Sequence, residues 1–199
     1  MISRFARGFI RIVDAINYRL GRIAMYGIFV LMAVLLWSSI SKTFFAPSQW
    51  TLEVAQFVMV GYFMLGGPYS IQLGANVRMD LIYGEWSDRK KAAVDAITVF
   101  MLMFYLAILL HGGLSSLAYS LGYCGKEAYL FFVQLLWAFL SGGPEGASDM
   151  LGFMERSPTA WRPHMWPIKS IMCIAIFLML MQALSELFKD LLRLRGEPL

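Results

Sequence analysis

The side chains with chemistry to offer in this 199-residue chain are two histidines, two cysteines and 13 carboxylates. Spacing decides what they could do. A haem held by two histidines needs both at one depth on facing helices. Only His111 and His164 are present, and His164 sits among Pro158, Pro163 and Pro167. A thiol-oxidising site needs a C-x-x-C pair. Cys124 and Cys173 are far apart, too few for a disulfide framework or a four-thiolate metal site, and read as small packing residues. No phosphate-binding glycine motif occurs. A carboxylate deep in a membrane span would mark an ion path, and Glu53 comes nearest. It sits about one turn inside an apolar run. Three roles stay open for it: a carboxylate favoured by a helix N-terminus, a partner for another subunit, or a shallow proton-coupling group. No catalytic residue, cofactor or metal site is expected.

The elements that would position these residues follow from composition. The chain is 59% apolar and 15% charged, against roughly 45–50% and about 25% for soluble domains. Residues 23–41, 54–77 and 96–125 carry no charge, and runs of about 18 or more such residues read as membrane spans. A shorter run, 170–185, is flanked by Trp166, Lys169 and Lys189, side chains that anchor a span at the headgroups. None of these runs alternates as a barrel strand must, so the spans are helices. The expectation is an all-α polytopic membrane protein forming one membrane domain. Its four transmembrane helices cover 20–45, 50–74, 92–122 and 165–190.

Residues 1–19 place Phe5, Phe9, Ile12 and Ile16 at helical spacing, with Arg4, Arg7, Arg11 and Asp14 on the other side. That pattern predicts an amphipathic interfacial helix on an anionic membrane surface. The basic region is too long for a secretory signal, and no small-residue cleavage site closes the run behind it, so span one is expected to be retained. Between spans three and four, 127–156 reads as an insertion in the outer loop. Residues 128–140 are apolar, aromatic and too short to cross a bilayer, which predicts a short extra helix, embedded shallowly or packed on the ends of spans three and four. Residues 141–148 are Gly-rich and read as a loop, and 150–154 as one further helical turn.

Charge sets the orientation. With the N-terminus inside, the inner side holds Arg4, Arg7, Arg11, Arg19, Arg22, Arg78, Arg89, Lys90, Lys91, Lys189, Arg193 and Arg195. The outer side holds only Lys42, Lys126, Arg156, Arg162 and Lys169. This bias places both termini in the cytoplasm. The net charge of +4 is therefore a topology signal, and no soluble basic domain is left to hold nucleic acid.

Two stripes of small residues stand out at helical spacing: Gly66, Ser70 and Gly74, then Gly112, Ser116 and Ser120. Such stripes let helix backbones approach closely, within the chain or against another membrane subunit. Gly66-Gly67-Pro68 should kink or loosen span two. Trp50 stands where an interfacial aromatic belongs.

The segment from Trp50 to Arg89 resembles the small membrane subunit of tripartite ATP-independent periplasmic (TRAP) transporters, the DctQ-like family. Trp50, Glu53 and Gly61 match the family's second span. Asn76-Val77-Arg78-Met79-Asp80 matches its His-Val-Arg-Val-Asp, and Ser87 and Arg89 fit the approach to span three. Ser157, Thr159, Trp161, Pro163, Trp166 and Pro167 are similar to its entry into span four. The resemblance runs from about residue 20 to 192. In place of the usual histidine stands Asn76, which can hydrogen-bond but cannot titrate. The insertion near 123–155 is a second departure.

The resemblance implies a small scaffold subunit in the bacterial inner membrane. Its partners would be a large multi-span permease subunit, a periplasmic substrate-binding protein docking on the complex, and membrane lipids. The system would import an organic acid, driven by an ion gradient, usually sodium. Trp50, Glu53, Gly66, Ser70, Gly74, Asn76, Arg78 and Asp80 are then the candidates for the partner and lipid interface. Arg78 and Asp80, two apart on a helix, would each bind something different, or be solvated loop charges. The rivals are a stand-alone small transporter, which needs a deep carboxylate, and a membrane anchor of a redox complex, which needs histidines or a quinone pocket.

Overall fold

A computed structural model describes residues 2–74, 88–125 and 127–194. The described residues form six helices: α1 (Ile2–Ala24), α2 (Gly27–Phe44), α3 (Thr51–Gln72), α4 (Asp88–Ser120), α5 (Ala128–Met150) and α6 (Trp166–Leu194). Among the described residues no strand occurs, only an isolated bridge between Arg156 and His164. Four helical stretches are long and apolar enough to cross a membrane: Ala6–Phe44, Thr51–Gln72, Ile97–Ser120 and Trp166–Leu192. The protein is an all-helical membrane protein.

The first stretch contains both α1 and α2, joined by a two-residue turn at Met25 and Tyr26. Its 39 residues would measure about 58 Å as one helix, roughly twice a hydrocarbon core of about 30 Å. α1 therefore continues five residues past the expected boundary at 19. The turn itself is tight: the Met25 amide donates to Gly21 O at 3.0 Å and the Tyr26 amide to Ile23 O at 3.1 Å.

The chain forms two compact units. One comprises Met1–Gly27, Tyr62–Ile108 and Ala175–Leu199. Here α1 packs on the second half of α6. Ala6, Val13 and Asn17 are buried, and Phe9 meets Phe188 edge to face at 5.7 Å. Ile12 and Ile16 turn away and stay 63% and 45% exposed, so the apolar stripe of α1 serves two environments. The side chains of Arg4 and Phe5 lie outside the described ones. α3 runs through the buried Pro68 without a break in its assignment, and ends at Gln72. Gly74 follows with φ +61°, the left-handed conformation that glycine adopts most cheaply after a helix.

The other unit comprises Ile28–Gly61 and Leu109–Ile174. Its small core gathers Ala118, Ala128 and Phe131, with Leu121, Tyr123, Phe132, Leu135 and Leu151 around it. Tyr123 stacks on Phe131 at 4.7 Å. α5 is two helical arms joined at Gly143 (φ 63°, ψ −155°). Residues 141–148, read above as a loop, are thus helical except at Gly143, and Pro144 opens the second arm, where its missing N–H costs nothing. The arm ends at Met150, so 150–154 adds no further turn. A methyl group at Gly146 would lie 2.8 Å from the Ala138 carbonyl oxygen, which shows how closely the second arm folds back on the first.

Both ends of the insertion are tied at one place. The Gly152 amide donates to Leu121 O and the Glu155 amide to Ser120 O, each at 3.1 Å. Gly122 (φ +91°) and Gly152 lie so close that a Cβ on Gly122 would sit 2.5 Å from the Gly152 backbone.

Candidate functional site

In the unit that holds α1, polar side chains gather where composition leads one to expect apolar packing. Gln182, Ser185, Glu186 and Lys189 share one face of α6 at helical spacing. Asn17 Nδ2 donates to Gln182 Oε1 at 2.7 Å. Gln182 Nε2 donates to Asp14 Oδ1 at 2.9 Å and to Glu186 Oε1 at 3.0 Å. Ser185 Oγ donates to Asp14 Oδ1 at 3.1 Å. Lys189 pairs with Asp14 Oδ2 at 2.8 Å and with Glu186 Oε1 at 2.7 Å. Gln72, the last residue of α3, adds a bond to the Asp14 carbonyl oxygen at 3.2 Å. The network fixes α1 on α6 through these bonds, while Asn17 Oδ1 and Gln72 Oε1 are buried without a hydrogen-bond partner among the described residues. The reading of 1–19 as an amphipathic interfacial helix on an anionic membrane surface did not include these partners. The polar stripe 182–189 in an otherwise apolar span was the available signal.

The same unit holds an open hollow of about 400 Å³, lined by Gly21, Met25, Tyr62, Phe63, Gly66, Gly67, Tyr69 and Ser70. Two kinds of glycine border it. Gly21 and Gly67 are packed within the chain: a Cβ on Gly21 would lie 2.4 Å from Tyr69 Cβ, and one on Gly67 2.7 Å from Met179 Sδ. Gly66 is different, with nothing within 4 Å of the same position. Of the expected stripe, Gly66 and Ser70 therefore face open space on α3, and Gly74 lies beyond the helix end. Asn76, Arg78 and Asp80 lie outside the described residues.

In the second unit, Glu53 is 3% exposed in the first turn of α3. Its Oε1 accepts from Ser157 Oγ at 3.3 Å, while Oε2 has no hydrogen-bond partner among the described residues. Trp50, just before it, is 38% exposed. Thr51 Oγ1 lies 3.2 Å from Ser38 Oγ and 3.0 Å from Ser48 Oγ, holding α2 to the start of α3. Lys169 pairs with Glu155 and donates to Ser116 O at 3.3 Å, so one residue of the second small stripe accepts a bond within its own chain. Ser120 is fully buried and bonds the Leu117 carbonyl oxygen, while nothing lies within 4 Å of a Cβ on Gly112. His111 meets Tyr129, and His164 lies in the bridge to Arg156, so the structure does not bring the two histidines together as a pair. Among the described residues, no group of three or more His, Cys, Asp or Glu could hold a metal ion.

On α3, Gly66 and Ser70 thus border an open hollow. Residues 31–128 match the family model of the tripartite ATP-independent periplasmic transporters, DctQ component. This segment is a DctQ domain. DctQ is a component of a transporter, not an enzyme family, and it is the small membrane subunit beside a large permease and a substrate-binding protein. The matched residues take in most of α2, all of α3 and α4, and stop at Ala128, the first residue of α5. Neither the curated proteins nor the solved structures hold a match to the chain.

Proposed function

We propose that this DctQ component is a scaffold that braces the large permease subunit in the bacterial inner membrane, with both termini in the cytoplasm. The complex takes up an organic acid on an ion gradient, with sodium as the coupling ion, and the substrate-binding protein docks on its outer side. The observation that carries this reading is the uncovered side of α3. Gly66 and Ser70 border a hollow that no side chain of the described residues fills, and small residues on a span let a second helix approach to backbone distance. Twelve of the basic residues fall on the side assigned to the cytoplasm, which supports the orientation.

Affinity purification of the tagged chain from its own cells tests the reading. The large hydrophobic subunit should co-purify, and Gly66→Leu or Ser70→Leu should lower its recovery and the uptake rate roughly tenfold, equivalent to about 1.4 kcal/mol of association. Full recovery with both variants, or a chain that purifies only as a self-dimer, would overturn it.

A further inference from the structure

We infer that the outer face of α5 lies in the acyl-chain region of the membrane, in the leaflet that surrounds the Ser120 end of α4. The first observation is depth. α4 is a candidate span over Ile97–Ser120, and His111 lies nine residues before its end, about 13 Å along the helix. Tyr129, in the first turn of α5, stacks on His111 at 5.4 Å, with its hydroxyl 2.6 Å from Nδ1. α5 therefore starts beside the span, not beyond its end. Lys169, paired with Glu155, donates to the Ser116 carbonyl oxygen, nearer the Ser120 end of α4 than His111 is, and Glu127 stands just before α5.

The second observation is the face itself. One side of α5 is used inside the chain, through Ala128 and Phe131. The other carries Val133, Leu136, Trp137 and Leu140 at helical spacing, exposed by 62%, 63%, 72% and 75%. No charge occurs from 128 to 144. A contiguous apolar face of this length has no place in water. On α4, Leu109, two residues before His111, is exposed as well.

The third is the hollow of about 650 Å³ between the arms of α5, bounded by Trp137, Leu140 and Met150. Ser141 at its edge already donates to the Trp137 carbonyl oxygen. Gln134 is the other polar side chain of a lining that is otherwise apolar, so most of the surface offers a water no partner, while an acyl chain needs none. Lipid is the occupant that fits depth, face and hollow together. The second arm brings Glu145 and Asp149, which mark where the chain returns to the headgroups.

The test uses the full chain with its co-purifying subunits, reconstituted in phosphatidylethanolamine and phosphatidylglycerol vesicles. In a Cys124→Ser, Cys173→Ala background, nitroxides are attached at Val133→Cys, Trp137→Cys and Leu140→Cys, with Ser148→Cys as the aqueous reference. Lipid contact predicts collision with oxygen severalfold above collision with a water-soluble nickel chelate at the three sites, and the reverse at Ser148→Cys. High nickel accessibility at the three sites places the face in water and overturns the inference. Low accessibility to both reagents means that protein covers it, and overturns it equally. Should Trp137→Cys fail to incorporate, Val133→Cys and Leu140→Cys decide alone. The partner reading of Gly66 and Ser70 is untouched by either result, because it is read from recovery of the large subunit.

Discussion

The ammonium group of Lys189 lies 2.8 Å from Oδ2 of Asp14, joining the first helix of the chain to the last. Both side chains are largely buried, at 13% and 23% exposure, and Glu186 shares the lysine at 2.7 Å. Removing the cation leaves two carboxylates facing each other, and like charges held this close are costly. Lys189→Ala should therefore destabilise the chain by about 1–3 kcal/mol, between the values for exposed and fully buried pairs. Asp14→Ala together with Lys189→Ala should cost less than the sum of the two single changes. Thermal unfolding in detergent, followed by helical circular dichroism, measures the cycle; strict additivity would show that the two groups are not coupled.

The glycines around the hollow in the first unit should respond in opposite ways. Gly21→Ala sets a methyl group 2.4 Å from Tyr69 Cβ, an atom next to the backbone that cannot swing away. A loss of about 1–3 kcal/mol is expected from such overpacking. Gly66→Ala meets nothing within 4 Å, so the isolated chain should be unchanged within about 0.5 kcal/mol. Equal melting temperatures for the two variants would contradict this division.

Gly143 holds φ 63° and ψ −155°, a combination open essentially to glycine alone. Gly143→Ala should cost about 1–3 kcal/mol locally and loosen the second arm of α5 without touching α1 or α6. Limited proteolysis should then cut near residues 141–150 earlier than in the parent chain, at an unaltered global melting point. An unchanged cleavage rate would show that the turn tolerates a side chain.

Orientation is open to labelling in whole cells. A single cysteine at Ser148 should react with an impermeant maleimide added outside, and one at Arg195 should react only after permeabilisation. The opposite pattern would reverse the topology on which the placement of the binding protein rests.

The four spans were legible because uninterrupted apolar runs have few alternatives in lipid. The family was legible from Trp50, Glu53 and the segment ending at Arg89. What periodicity could not disclose is the partner of a polar face. Asp14 and Asn17 lie on the polar side of α1, and a polar side can meet water, headgroups or another polar stripe with the same spacing. Here it meets Gln182, Ser185 and Lys189. The hairpin in α5 escaped for a different reason. Gly142-Gly143-Pro144 signals a break, but a break one residue long lets helix resume at once, and composition alone reads the whole stretch as loop.

Gly122 and Gly152 touch backbone to backbone, so the chain leaves and re-enters the body of its unit through a single point. The circuit Ser120–Glu155 and Leu121–Gly152 is already closed by hydrogen bonds before the arm begins. Ala128 and Phe131 pack on Ala118 and tie the first arm of α5 to the body of the unit, so it is the second arm, beyond Gly143, that can change in length without breaking this closure. A loop closed at its base in this way sets a boundary to disturbance: what happens at the tip of the second arm stops at the Gly122–Gly152 contact and does not reach α4.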